Sequence, residues 1–184
     1  MNTALLLIDI QKDYFPGGHM ELTGANEAGE AAGRLLAGFR RLELPVVHVQ
    51  HISTRQGAQF FLTGTDGVNF HESVAPRANE TVIQKNFPNS FRSTGLQDIL
   101  QKVGIGQIVI CGMMSHMCVS ATAKAAFDLG YQCIVAHDAC ATRSLGFDGA
   151  EISAGYVHAV SMAALGSLFA HVTKVDEVIN RLPG

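Results

Sequence analysis

The chain has 184 residues and a mass of 19.6 kDa, which fits a single domain over residues 1–184. Hydrophobic residues make up 47% and charged residues 16%, a composition that excludes a disordered chain. Thirteen basic against sixteen acidic side chains give a net charge of −3, so no nucleic-acid or anionic-membrane partner is expected. The apolar runs are also far shorter than the ~20 residues of a membrane span.

The cysteines and the first residues predict where the protein resides. Cys111, Cys118, Cys133 and Cys140 form no Cys-x-x-Cys pair. The chain starts without the basic segment of a secretory signal peptide. Reduced thiols and a cytoplasmic location are therefore expected.

Short apolar runs alternate with segments of helical periodicity along the chain. The predicted strands are 4–10, 46–51, 81–85, 107–111, 132–136 and 172–175. The predicted helices are 26–42, 94–103, 116–129 and 148–168, with a terminal turn from Asp176. Strands separated by helices predict a three-layer α/β/α fold with a six-stranded parallel sheet, in the expected order 3-2-1-4-5-6. The long stretch 52–79 lacks periodicity and is predicted to be a functional loop, such as a lid.

Three reactive side chains come at the ends of predicted strands. Asp9 ends the first strand, Lys85 ends the third, and Cys118 follows the fourth in the first turn of its helix. Ligands of open parallel sheets bind beyond the carboxyl ends of the strands, near the point where strand order reverses. The sequence therefore predicts that these three residues converge at one site.

These residue types suit nucleophilic catalysis. A thiol at a helix N-terminus, beside an ammonium group, is expected to have a lowered pKa. The Asp9 carboxylate can take the thiol proton and later return it to a leaving amine. The glycine-containing turn 112–118 is expected to aim backbone N–H groups at a developing oxyanion.

The same residues carry a family resemblance. Segments 6–15 (LLIDIQKDYF) and 111–119 (CGMMSHMCV), together with Lys85 and the Ser90-Phe91 pair after it, resemble the isochorismatase-like cysteine hydrolases. That family includes nicotinamidases and N-carbamoylsarcosine amidohydrolases. The resemblance implies an Asp9-Lys85-Cys118 triad and a cis peptide bond between Met113 and Met114. It also implies an oxyanion hole built from the backbone N–H groups of Met114 and Cys118.

Nicotinamidases carry an Asp-x-His metal motif after the second strand, where this chain has His48-Val49-Gln50-His51. Residues 48 and 51 are three apart on a strand and are expected to point to opposite faces. We therefore predict no metal and no cofactor.

Four further residues are candidates for the substrate pocket: Phe15, Phe60, Phe61 and His116. Each also fits a structural role, since aromatic residues are commonly core residues and His116 fits an exposed helix start. The location of Phe60 and Phe61 in the long loop balances a pocket role against a core role for those two.

The favoured activity is hydrolysis of a small amide, ureide or similar C–N bond through a Cys118 thioester. One alternative is hydrolysis of the vinyl ether of isochorismate, which needs Asp9 but not Cys118. Family members with that activity generally lack the cysteine, so its presence favours amide chemistry. Another alternative, from a different class, is a non-catalytic flavodoxin-like binding protein.

The last long helix predicts self-association. The segment 150–168 carries small and apolar residues on more than one face. We expect a homodimer or larger homo-oligomer, in keeping with the family resemblance, and a small-molecule substrate as the other partner.

Overall fold

Six parallel strands form the central sheet of the computed structural model, which describes residues 2–182. The eight strands in chain order are β1 (Asn2–Ile8), β2 (Val46–His51), β3 (Thr81–Lys85), β4 (Ile105–Met113), β5 (Gln132–Ala141), β6 (Leu145–Phe147), β7 (Ala150–Ile152) and β8 (His171–Thr173). The sheet order is β3-β2-β1-β4-β5-β8, and β6 and β7 form a separate hairpin. The sixth predicted strand corresponds to β8, so the predicted sheet order is confirmed.

Helices flank this sheet, as the alternation of elements predicts. They are α1 (Ala25–Arg41), α2 (Leu96–Lys102), α3 (Ser120–Asp128), α4 (Ala154–Gly166) and α5 (Val175–Arg181). Helix α1 packs against α5, and α3 packs against α4. The central strand β1 is consequently buried on both faces, and its Leu5 and Ile8 side chains are fully inaccessible.

The predicted helix 148–168 is wrong at its start. Strands β6 and β7 form an antiparallel hairpin there, with Phe147 opposite Ala150. Asp148 and Gly149 at the hairpin tip both have positive φ angles, 48° and 76°. An Asp-Gly pair favours this tight turn, so the helix begins only at Ala154.

Other element bounds shift where the chain approaches the strand ends. Strand β1 ends at Ile8, because Asp9 takes a left-handed φ of 52°. The helix predicted from His116 begins with a π-helical turn, Ser115–Val119, before α3. The loop between β2 and β3 contains two short 3-10 turns, Asp66–Val68 and Glu72–Val74. Within residues 2–182, no helix has the length and apolar character needed to cross a membrane.

Candidate active site

The carboxyl ends of β1, β3 and β4 carry the three predicted reactive residues. Asp9 directly follows β1, Lys85 is the last residue of β3, and Cys118 lies in the π-helical turn after β4. Since β1 lies between β2 and β4, the chain passes from one half of the sheet to the other at this point. The structure therefore brings all three side chains to the predicted edge of the sheet.

Lys85 connects the site through three hydrogen bonds. Its Nζ donates to Asp9 Oδ2 at 2.7 Å, to His51 Nδ1 at 2.9 Å and to Cys118 Sγ at 3.3 Å. The side chains of Lys85 and Asp9 are completely buried. An ammonium group has three N–H donors and no acceptor, so all three donors of Lys85 have a partner.

This arrangement fixes the protonation of His51 and Lys85. Because the Lys85 ammonium group only donates, His51 Nδ1 accepts, and neutral His51 carries its proton on Nε2. Burial, followed by the Lys85 charge, lowers the pKa of His51, against the opposing effect of Asp9. Burial disfavours the Lys85 charge, but Asp9 and Cys118 outweigh that effect and raise the pKa of Lys85. At neutral pH the site therefore holds a cation beside a neutral imidazole.

Cys118 departs from the expected low thiol pKa. The residue is only 5% exposed, and burial raises the pKa of its thiol. The Asp9 carboxylate raises this pKa further, and the Lys85 ammonium group opposes both effects without overcoming them. At rest the Cys118 side chain is therefore a protonated thiol, which would need a base in order to act as a nucleophile.

Asp9 has a carboxylate oxygen that could act as such a base. Its Oδ1 atom is buried and has no hydrogen-bond partner within the described chain, residues 2–182. An oxygen of Asp9, a ring nitrogen of His51 and Cys118 Sγ all lie within 4.8 Å of one another. A proton therefore has a short route from the thiol to the carboxylate.

Unusual backbone geometry holds these groups in place. Asp9 has the left-handed φ of 52° noted above, which is rare outside glycine, and its N–H donates to Val49 O at 3.0 Å. Gly112 has a φ of 131°, and a Cβ atom there would collide with the carbonyl oxygen of Ile8. Glycine thus lets β4 approach β1 just before the π-helical turn that carries Cys118. The peptide bond between Met113 and Met114 is cis, as the family resemblance implies.

A cavity of about 470 Å³ opens next to Cys118. Most of its wall is apolar or aromatic, with contributions from Tyr14, Phe60, Phe61, Phe87, Met114 and Met117. Polar groups are fewer and include Ser53, Asn86 and Arg55. Such a cavity suits a small molecule with an apolar body.

Two of the four predicted pocket residues line this cavity. Phe60 and Phe61 pack edge to face, with ring centroids 5.0 Å apart. The backbone N–H of Phe61 donates to the buried Asp13 Oδ2 at 2.6 Å, which anchors the long loop over the site. The long loop 52–79 therefore contributes directly to the cavity wall.

Phe15 and His116 do not line the cavity with Cys118, so the prediction needs correction there. The 3-10 turn Lys12–Tyr14 directs Phe15 away from the cavity. The Phe15 ring stacks on the His71 ring, with ring centroids 3.6 Å apart. His116 lies in the π-helical turn, where its Nδ1 pairs with Thr142 Oγ1 at 2.6 Å. Both side chains thus have structural partners outside the cavity.

Sequence reasoning missed Tyr14 and His51 as cavity residues. Tyr14 precedes the predicted Phe15, but only the 3-10 turn shows which of the two side chains faces the cavity. His51 lies directly opposite Lys85 in the pairing of β2 with β3. The sequence places both residues at the ends of predicted strands, but it does not report the strand register that puts them side by side.

Asp9, His51 and Cys118 are also the residue types that bind zinc, but their surroundings do not suit a cation. Lys85 Nζ lies within hydrogen-bond distance of all three side chains and places a positive charge among them. His48 does not assist, because its Nε2 is bonded to Glu80 Oε2 at 2.9 Å instead. The described residues at this site therefore favour an ammonium group over a metal ion.

We accordingly predict that activity is independent of divalent metals. Enzyme treated with EDTA and then desalted should keep its rate within twofold, because Lys85 already supplies the positive charge. Steady-state assays before and after chelation, with metal content measured in parallel, test this. A large loss that zinc or manganese restores would contradict the prediction.

Comparisons with known proteins show which family the chain belongs to. The sequence-family model of the isochorismatase domain matches residues 3–177 of this chain. The isochorismatase family protein YddQ of Bacillus subtilis is 50% identical over 176 residues, covering 96% of this chain and 98% of its own. A maleamate amidohydrolase of Pseudomonas putida is 29% identical over 154 residues, 76% of this chain and 72% of its own.

A solved structure of an isochorismatase from Pseudomonas putida KT2440 superimposes with a TM-score of 0.90. It is 36% identical and covers 96% of this chain and 89% of its own. The family match over nearly the whole chain, the high identity to a full-length relative and the shared fold lead to one conclusion. The chain belongs to the isochorismatase family of hydrolases.

Proposed function

We propose that the protein hydrolyses a small amide, ureide or similar C–N bond through a thioester on Cys118. The observation that carries this proposal is the hydrogen bonding of Lys85 to both Asp9 and Cys118 beside a small cavity. The similarity to a maleamate amidohydrolase supports the same reaction class.

In the first half of the reaction, Asp9 takes the thiol proton as Cys118 Sγ attacks the carbonyl carbon of the substrate. The backbone N–H groups of Met114 and Cys118 hold the oxygen of the tetrahedral intermediate. Asp9 then gives the proton to the leaving nitrogen, the C–N bond breaks, and an amine or ammonia departs. The acyl group remains as a thioester on Sγ.

Water completes the cycle. Asp9 takes a proton from the water molecule as its oxygen attacks the thioester carbonyl. The C–S bond breaks, the thiolate recovers the proton from Asp9, and the acid product leaves. Throughout, the Lys85 ammonium group offsets negative charge on Asp9 and Sγ, which is why its pKa must stay high.

The second candidate is hydrolysis of the isochorismate vinyl ether. The structural similarity to an isochorismatase favours it, and it uses Asp9 without a covalent step on Cys118. The flavodoxin-like binding alternative is set aside, because the chain belongs to a family of hydrolases.

A substrate panel separates the two activities. Wild type and Cys118→Ala should be assayed with small amides and ureides for ammonia release, and with isochorismate for pyruvate release. The amide proposal requires that wild type and Cys133→Ala release ammonia and that Cys118→Ala does not. Cys133→Ala is the matched control, since Cys133 is another buried free cysteine outside the cavity. Pyruvate release that persists in Cys118→Ala, without amide hydrolysis by wild type, would favour the ether reaction.

We also propose that the protein is at least a homodimer. Helix α4 exposes Tyr156 and Val160 to 73% and 68%, and the neighbouring hairpin exposes Phe147 to 74%. Large exposed apolar residues on adjacent elements are typical of a covered face. Light scattering at micromolar concentration should give a multiple of 19.6 kDa. A mass of 19.6 kDa would contradict this, and Val160→Lys should lower the mass if α4 forms the interface.

A further inference from the structure

Tyr14 places a phenol in the cavity, and the proposed mechanism gives this group no role. The residue is 2% exposed and lines the same cavity as Cys118. Its ring packs edge to face on Phe61 with centroids 4.6 Å apart, and it lies 6.0 Å from Phe60. Its backbone N–H donates to Gln11 O, and its carbonyl accepts from Leu22 N, both at 3.0 Å. The ring is therefore held in one place.

The hydroxyl group of this fixed ring is open to a ligand. Within residues 2–182, Asp9 Oδ1 and His48 Nδ1 are the side-chain polar atoms that are both fully buried and unpaired, and the Tyr14 hydroxyl is not one of them. Since Tyr14 lines the cavity beside Cys118, a molecule bound there can pair with the hydroxyl. A tyrosine hydroxyl in an otherwise buried residue favours such a partner.

The phenol keeps its proton over the working pH range and can therefore donate a hydrogen bond. Burial raises the pKa of Tyr14 well above its usual value, and the Asp9 carboxylate raises it further, against a smaller effect of Arg143. The hydroxyl keeps its proton at neutral pH. The rings of Phe60, Phe61 and Phe87, which line the same cavity, offer a substrate no hydrogen bond.

We propose that Tyr14 determines specificity by donating a hydrogen bond to an acceptor that the substrate carries beside its scissile carbonyl. The substrates are then small amides with an apolar body and an ether, carbonyl, carboxylate or ring-nitrogen acceptor. This inference rests on the proposed amide hydrolysis for its kinetic readout. A site built to pair with an acceptor strongly rejects an analogue that lacks it.

Two isosteric pairs of amides test the role of Tyr14. Methoxyacetamide and butanamide differ by an ether oxygen in place of a methylene group. Nicotinamide and benzamide differ by a ring nitrogen in place of C–H. The measurement is kcat/KM for each amide with wild type, Tyr14→Phe and Tyr131→Phe. Tyr14→Phe removes only the hydroxyl and keeps the ring contacts, and Tyr131 is a buried tyrosine outside the cavity.

Wild type should prefer the acceptor-bearing member of at least one pair by tenfold or more. Tyr14→Phe should reduce that preference to below twofold, because kcat/KM falls at least fivefold more for the acceptor-bearing member than for the other, and Tyr131→Phe should behave as wild type. An unchanged preference in Tyr14→Phe, or an equal loss on both members, would overturn the proposal.

Binding measurements separate this proposal from the proposed reaction. If wild type hydrolyses none of the four amides, the reaction proposal fails for them, and calorimetry on Cys118→Ala decides the role of Tyr14. The acceptor-bearing amide must then bind Cys118→Ala at least tenfold more tightly than Cys118→Ala with Tyr14→Phe. Equal affinities, or no measurable binding of any of the four, would overturn the proposal.

Discussion

Asp9→Asn is expected to make Cys118 more reactive toward iodoacetamide and at the same time to abolish turnover. The Asp9 carboxylate raises the pKa of the thiol, so its removal lowers that pKa and increases the thiolate fraction at neutral pH. The amide side chain of asparagine accepts no proton from the thiol and returns none to the leaving nitrogen. We expect a loss of at least about 10²-fold in kcat, as for removal of a general base.

The pH dependence of Cys118 alkylation measures the first effect, and steady-state kinetics measures the second. In wild type, alkylation should rise with a midpoint above that of an ordinary thiol, roughly pH 8.5. The midpoint should fall in Asp9→Asn. Asp138→Asn is the matched control, because Asp138 accepts a hydrogen bond from Val175 N and is not one of the charged groups that shift the pKa of Cys118. A midpoint that stays constant or rises in Asp9→Asn would show that the carboxylate does not control the thiol.

Lys85→Met is expected to destabilise the fold strongly, and Asp9→Asn is expected to restore much of the loss. The ion pair is completely buried, so removing the cation leaves the Asp9 carboxylate without a counter-charge. Breaking a buried pair in this way costs about 3–5 kcal/mol of the free energy of unfolding. Because the pKa of Lys85 is raised, the ammonium contribution is complete at neutral pH and declines only as pH rises through that raised pKa.

Thermal melting at pH 7 should therefore show a fall of about 10 °C for Lys85→Met, since 1 kcal/mol shifts the midpoint of a domain this size by roughly 2–4 °C. The double variant Asp9→Asn with Lys85→Met should melt several degrees above Lys85→Met alone. Lys12→Met, which breaks only an exposed pair with Asp66, should leave the midpoint unchanged. A double variant no more stable than Lys85→Met would contradict the coupling between the two buried charges.

The sheet and the positions of the three reactive residues could be predicted because they depend on local patterns. Apolar runs marked the strands, and helices between them required a parallel sheet, so Asp9, Lys85 and Cys118 had to lie at one edge. The hairpin at Asp148 and Gly149 could also have been predicted, because an Asp-Gly pair is a strong turn signal. The apolar character of residues 148–168 favoured a continuous helix instead.

Properties that depend on tertiary contacts could not be predicted in the same way. The raised thiol pKa of Cys118 reflects the depth of its burial and the proximity of Asp9, neither of which local sequence reports. The role of His51 depends on the exact register of β2 against β3, which places it opposite Lys85. Tyr14 lines the cavity in place of the predicted Phe15, because the 3-10 turn Lys12–Tyr14 sets the direction of both side chains.

The most direct measurement is the location of the acyl group during turnover. Wild type should be mixed with an amide that it hydrolyses, quenched in acid within milliseconds and digested with trypsin. Cleavage after Lys102 and Lys124 gives a peptide that contains Cys111 and Cys118, and fragmentation distinguishes the two. The thioester mechanism predicts the acyl mass on Cys118, and no adduct or ammonia release in Cys118→Ala. An acyl group on another residue, or hydrolysis by Cys118→Ala at close to the wild-type rate, would contradict it.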